Sequence, residues 1–264
     1  MNRALLVGIN TYPGCPLSGC VNDITDMANF LISNCGFKSD EVRLITDGRA
    51  TTDAILERLN WLVNGVNPND RIFFHDSGHG AQYPARGRND EIDGQYEVFC
   101  PVDFDWSERH MIKDKQFVEI FSKLPNGVKF NWLSDSCHSG DLDRGLGSFD
   151  AKILHSKNYP MPACIAWRHR IAKDKGIMVN RGMVNGKLDV GYISGCMSNQ
   201  TSADASFGGR PNGALTYFFL KNIKGNLDKP LNVVTQLIIS DLKDKGFSQV
   251  PQCEGARSAQ PFLG

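Results

Sequence analysis

A chain of 264 residues, 41% of them hydrophobic, can bury one sizeable core, and its 29 basic residues are balanced by 29 acidic ones. That balance excludes a global field drawing the molecule onto nucleic acid or an acidic membrane, and no stretch nears the roughly 20 apolar residues of a membrane span. Eight cysteines, at 15, 20, 35, 100, 137, 164, 196 and 253, lack CxxC spacing, which argues against a zinc ribbon or a dense disulfide framework.

The opening MNRALLVGINTYPG has only a short apolar run and no small-residue cleavage site, so a soluble, cytoplasmic protein with free thiols is expected. Apolar runs suited to buried parallel strands follow in order: RALLVGI (3–9), VRLIT (42–46), RIFFH (71–75), VKFNWLS (128–134) and VGYIS (190–194). Between them, 21–33, 51–65 and 115–124 carry apolar residues at helical spacing. The alternation predicts an α/β fold, a mostly parallel central sheet between helices. Residues 141–188 break the texture with Gly, Pro, His and many basic residues and no sustained apolar period, as a functional or solvated basic loop would. SADASFGGRPNG (202–213) reads as a loop, and ALTYFFLKNI (214–223) and VVTQLIISDLKDKG (233–246) as helices covering the sheet.

Two of the strand runs end in chemistry. FFHDSGHG delivers His79 and LSDSCHSG delivers Cys137 to the carboxyl edge of the sheet, where open α/β sheets bind ligands. The intervening 58 positions leave room for a crossover that sets the two strands side by side. His138, adjacent to Cys137 in sequence, points to the opposite face of an extended chain, so a base has to come from elsewhere. A thiol beside an imidazole supports acyl transfer: the thiolate attacks, and the imidazole later protonates a leaving amine. Gly78 and Gly80 leave backbone N–H groups open to a developing oxyanion, with Gly80 as the candidate donor. A metal site at Cys137 and His138 would need two further ligands that no nearby residue supplies.

HDSGHG and DSCHSG, with PLSGCVND before them and ISGCMSNQTSADA after, resemble the caspase-like cysteine peptidases, specifically the metacaspases and their prokaryotic relatives, over residues 3 to about 225. The resemblance implies a caspase-type sheet and one peptidase domain over 1–264, with 1–145 and 189–264 corresponding to the large and small portions and 146–188 linking them. It also implies a Cys137 and His79 dyad, cleavage after basic residues, and a pocket lined by Cys20, Asp23, Ser77 and Asp135. Charge supports that pocket: Asp135 lies two positions before Cys137 on the same strand face, and Asp23 opens the first helix, where it could instead serve as a helix cap. Two carboxylates flanking one pocket suit an Arg fork or a Lys ammonium.

Two departures limit the carry-over. Relatives place acids where Met197, Ser198 and Asn199 stand, and calcium-dependent relatives have adjacent aspartates where Lys113 precedes Asp114. No cofactor is therefore expected to be required, calcium included, and Lys113 is expected to pair with Asp114 or with Asp90, Glu91 or Asp93. The expected partners are peptides or proteins with a basic residue before the cut bond, and the expected state is a monomer. Self-cleavage is expected within 141–188, which carries Lys152, Lys157, Arg168, Arg170, Lys173, Lys175 and Arg181. The alternatives are a catalytically silent scaffold of the same fold and a non-proteolytic thiol acyltransferase.

Overall fold

Side chains along residues 2–8 alternate between two apolar layers: Leu5 and Val7 enter one, Ala4 and Leu6 the other, so this strand is covered on both faces. The computed structural model describes residues 1–84, 95–137, 151–162, 188–197 and 200–264. In chain order its strands are β1 (Asn2–Gly8), β2 (Val42–Thr46), β3 (Arg71–Ser77), β4 (Gly80–Pro84), β5 (Gln95–Phe99), β6 (Ile112–Lys113), β7 (Lys129–Asp135), β8 (Ala151–Ser156), β9 (Val190–Ser194), β10 (Ala203–Phe207), β11 (Arg210–Gly213) and β12 (Gln252–Glu254). The helices described are α1 (Cys20–Cys35), α2 (Thr52–Val63), α3 (Asp114–Phe121), α4 (Ala214–Ile223) and α5 (Leu231–Asp244).

The main sheet runs β12-β9-β7-β3-β1-β2, parallel throughout except where β12 lies antiparallel on β9. Helices α2 and α3 cover one face, packing Leu59, Phe117 and Phe121 against Phe74 and Trp132. Helices α1, α4 and α5 cover the other, around Phe73, Phe219 and Phe262. The α/β alternation read from the sequence is thus the observed architecture, with element ends displaced by up to three residues, as fraying termini allow.

Two stretches read as loops are strands. SADASFGGRPNG folds into the β10–β11 hairpin, turned by Gly208 and Gly209 at φ +59° and +86°. Two consecutive left-handed residues are what a tight hairpin turn needs, and paired glycines supply them without Cβ strain. Within 141–188, residues 151–156 form β8, which pairs antiparallel with β10, so this part of the basic segment is built into a three-stranded sheet, β11-β10-β8. A second small sheet, β4-β5-β6, continues directly from β3 through Gly78 and His79.

Trp132 anchors the core between α3 and the sheet. It is 1% exposed, its ring centroid lies 4.5 Å from that of Tyr192 and 5.0 Å from that of Phe117, and its Nε1 donates to Asp76 Oδ1 at 2.7 Å. Trp132→Ala is expected to lower stability by about 3–5 kcal/mol in chemical denaturation. Trp132→Phe, which keeps most of the volume and loses the hydrogen bond, should cost less.

Candidate active site

Strand register delivers the two candidate catalytic residues to one edge. β3 and β7 pair with Ser77 opposite Asp135, and His79 and Cys137 each lie two residues beyond that pair. The Gly78 N–H donates to the Asp135 carbonyl at 3.4 Å, holding the exits together.

His79 is held on several sides. Its backbone N–H donates to Tyr12 Oη at 3.0 Å, that hydroxyl donates to the Cys100 carbonyl at 2.8 Å, and the Cys100 N–H returns to the His79 carbonyl at 3.0 Å. The Tyr12 and Tyr159 rings flank the imidazole at 4.6 and 5.5 Å. Nε2 lies 2.7 Å from the Cys15 carbonyl, an acceptor, so the proton sits on Nε2 and Nδ1 carries the lone pair. Nδ1 is buried and has no hydrogen-bond partner among the described residues. Burial pushes the imidazole down to about 4, which keeps it neutral at neutral pH. The Cys15 carbonyl is an orienting group that sequence reading missed, because a backbone oxygen has no side-chain signature.

The four residues expected to form a basic-residue pocket converge, and they surround a lysine of the same chain. Lys157, the residue after β8, is fully buried. Its ammonium lies 3.0 Å from Asp135 Oδ1 and 3.4 Å from Asp23 Oδ2, and it donates to Ser77 Oγ at 2.8 Å and to the Asp135 carbonyl at 3.1 Å. Cys20 closes the pocket as a neutral thiol, pushed up by burial against the pull of Lys157. Burial alone would push the ammonium down, but the carboxylates of Asp135, Asp23 and Asp204 outweigh it and hold Lys157 charged. The expectation of a solvated loop fails at this residue, since paired carboxylates repay its desolvation.

The carboxylates are held in turn by the start of α4. Asp135 Oδ2 accepts from Thr216 N at 2.9 Å and Thr216 Oγ1 at 2.7 Å, and Ser202 Oγ donates to Oδ1 at 2.8 Å. Asp23 accepts from Ser77 Oγ at 2.7 Å, Gly213 N at 2.8 Å and Asn212 Nδ2 at 3.0 Å. Asp23 sits in the first turn of α1 without a side-chain cap bond to that helix, so its hydrogen bonds serve the pocket. Burial pushes Asp23 up to about 6, although Lys157 pulls the other way. For Asp135, Lys157 and the Thr216 and Ser202 hydrogen bonds overcome burial and hold it below the usual carboxylate range.

The Lys157 backbone is engaged as well. Its N–H donates to the Ser202 carbonyl at 3.0 Å, and its carbonyl accepts the Gly80 N–H at 2.9 Å. Tyr159 N donates to the Gly80 carbonyl at 2.9 Å, so residues 157–159 run alongside Gly80 as a parallel bridge. Gly80, the candidate oxyanion donor, therefore holds the carbonyl of the Lys157–Asn158 peptide.

Cys137 is buried, and its thiol donates to the Gln200 carbonyl at 3.0 Å. His138, Arg168, Arg170, Lys173, Lys175, Arg181, Ser198 and Asn199 lie outside the described residues, as do Asp90, Glu91 and Asp93. Lys113 pairs with Glu108, Nζ to Oε2 2.8 Å, over the Tyr96 ring at 4.5 Å, and Glu108 was not among its expected partners. Among the described residues no cluster of three or more His, Cys, Asp or Glu could hold a metal ion.

Comparison with known proteins identifies the family and the fold. Residues 2–143 match the metacaspase peptidase C14 domain. The chain is 30% identical to metacaspase-1 of Pyricularia oryzae and 33% identical to metacaspase-1 of Meyerozyma guilliermondii, covering 95% of this chain and 70% and 68% of those proteins. Among solved structures, caspase-1 of Spodoptera frugiperda superposes with a TM-score of 0.64 at 12% identity, over 100% of this chain and 89% of that one. The fold is therefore that of the caspases.

Gly213 gives a direct check on the pocket. A Cβ there would lie 2.2 Å from both Asp135 Oδ2 and Lys157 Nζ and 2.6 Å from Asp23 Oδ2, while its φ of −66° suits any residue. Gly213→Ala is expected to cost about 1–3 kcal/mol in thermal or chemical unfolding through overpacking alone. Gly225→Ala, where a Cβ meets nothing within 4 Å, should be near neutral.

Proposed function

The chain belongs to the metacaspase family of cysteine peptidases, and we propose that it cuts peptide bonds after Lys or Arg, using Cys137 as nucleophile and His79 as base and acid. The neutral imidazole takes the Cys137 proton at Nδ1, and the thiolate attacks the scissile carbonyl carbon. Charge developing on the carbonyl oxygen is met by the Gly80 N–H. The imidazolium then gives its proton to the leaving amine, and water, activated by the same imidazole, hydrolyses the thioester to free acid and restore the thiol.

The observation that carries this reading is Lys157. Its side chain fills the Asp23, Ser77 and Asp135 pocket while its carbonyl lies on the Gly80 N–H, the pose a substrate residue before the cut bond would take. An arginine offers the same carboxylates a planar fork of donors, whereas an acidic side chain would bring a third carboxylate into a buried site. The same observation supports self-processing at Lys157–Asn158: the segment is the enzyme's first substrate and, until cut or displaced, keeps other substrates out.

Fluorogenic peptides test the specificity. Arg and Lys substrates are expected to turn over at least 100-fold faster than the matching Asp substrate, and equal rates would refute the pocket. Cys137→Ala and His79→Ala should each lower turnover by orders of magnitude with the fold retained by circular dichroism. Mass spectrometry of the incubated wild type should show fragments ending at Lys157 that are absent from Cys137→Ala and Lys157→Gln. An active enzyme that stays a single chain would overturn the self-processing site.

Calcium is proposed to be dispensable. The Lys113 ammonium, paired with Glu108 beside the start of α3, puts a positive charge where a cation would otherwise be drawn. Peptidase activity in excess EDTA should stay within about twofold of that in millimolar calcium. Loss of activity on chelation, restored by calcium alone, would contradict this.

A further inference from the structure

A second thiol stands beside the proposed nucleophile and has no part in the chemistry above. Cys196 donates to the Gln200 carbonyl at 3.2 Å, the same oxygen that accepts the Cys137 thiol at 3.0 Å. Two sulfurs bound to one oxygen at 3.0 and 3.2 Å lie within about 6 Å of each other. Their backbones leave adjacent strands: β7 and β9 pair in parallel through Ser134 and Ser194, with Cys137 three residues and Cys196 two residues beyond. Neighbouring strands are about 4.8 Å apart where they pair, and a disulfide spans a Cα separation of roughly 4.4–6.8 Å, so the two segments leave the sheet at a spacing a disulfide can bridge. Both cysteines are reduced in this structure.

We propose that Cys137 and Cys196 form a reversible disulfide under peroxide, which switches the peptidase off and shields its nucleophile from irreversible oxidation. The proposal rests on the reading of Cys137 as the reactive thiol. In the first step the Cys137 thiolate attacks one oxygen of hydrogen peroxide, giving the sulfenic acid and hydroxide. In the second, the Cys196 sulfur, losing its proton, displaces hydroxide from the Cys137 sulfur and the S–S bond forms. In sum, two thiols and one peroxide give one disulfide and two waters, and a dithiol reductant reverses the change by exchange.

The electrostatics order these events. The Cys196 thiol is pushed up by its hydrogen bond to Cys137, by burial and by charge on Cys137. Cys196 therefore keeps its proton in the reduced pair, and Cys137 becomes the thiolate when His79 takes its proton. Oxidation of Cys137 to the neutral sulfenic acid removes that charge, so Cys196 ionises more easily once there is something for it to attack.

The test compares the full chain with Cys196→Ser and Cys196→Ala, treated with hydrogen peroxide and then dithiothreitol, with intact mass, peptide mapping and Arg-peptide turnover as readouts. The wild type should lose about 2 Da, yield a linked peptide joining Cys137 to Cys196, and recover at least 80% of its activity on reduction. Both variants should match the untreated wild type in turnover within about threefold. After the same exposure they should gain about 32 or 48 Da on the Cys137 peptide and recover little. A linked peptide joining Cys137 to another cysteine, or variants that recover as fully as the wild type, would overturn the proposal. The disulfide is read by mass, so a chain that forms the link without hydrolysing peptides would refute the peptidase reading alone, and an active chain that never forms it would refute the switch alone.

Discussion

A single ammonium between two buried carboxylates organises the candidate site. Lys157, Asp23 and Asp135 come from the segment after β8, the first turn of α1 and the end of β7, and hydrogen bonds from the start of α4 hold both acids. Unpaired, each acid would be costly to bury, and together they would repel. The helix start offsets part of that cost, because its unbonded N–H groups and positive dipole end favour anions. Four separate parts of the chain must therefore assemble before any one charge is comfortable.

On the proposed reading, this arrangement lets a latent form be stable without being permanent. A buried ion cluster contributes little net stability over apolar packing, yet loss of one member leaves the others uncompensated. The site thus favours being filled by a positive side chain without requiring that Lys157 be the one. Ser77 and Ser202 hydroxyls and the Gly213 N–H remain as donors to the acids when the occupant changes. Asp23, pushed up to about 6, can take a proton where Asp135 resists one, so the two acids respond unequally as a charged occupant leaves.

Sequence and structure agree where the signal is local. The five parallel strands are legible because strands buried on both faces leave unbroken apolar runs, and His79 and Cys137 stand out because each follows such a run among small residues. Asp23 and Asp135 could be placed from their positions at the start of α1 and the end of β7. Lys157 was legible only as one of several basic residues in a patternless stretch: what buries it are acids 22 and 134 positions away, and no local period marks that. The β10–β11 hairpin was hidden for another reason, since its strands are short and polar and its Gly-Gly turn is also a loop signal. Cys196 lay within ISGCMSNQTSADA, but its place beside Cys137 could not be read there, because it depends on the β7–β9 pairing.

The order of these parts along the chain gives the protein a clock. Asp23, His79, Asp135 and Cys137 are all synthesised before the start of α4, whose Thr216 amide and hydroxyl bind Asp135 and which follows directly on Gly213, the donor to Asp23. A nascent chain carrying every reactive group still lacks the backbone donors that make two neighbouring carboxylates tolerable in the interior. Translation must pass Thr216 before that pocket can close, and Lys157 emerges ahead of α4, ready to enter it. The site is thus assembled with its occupant already made.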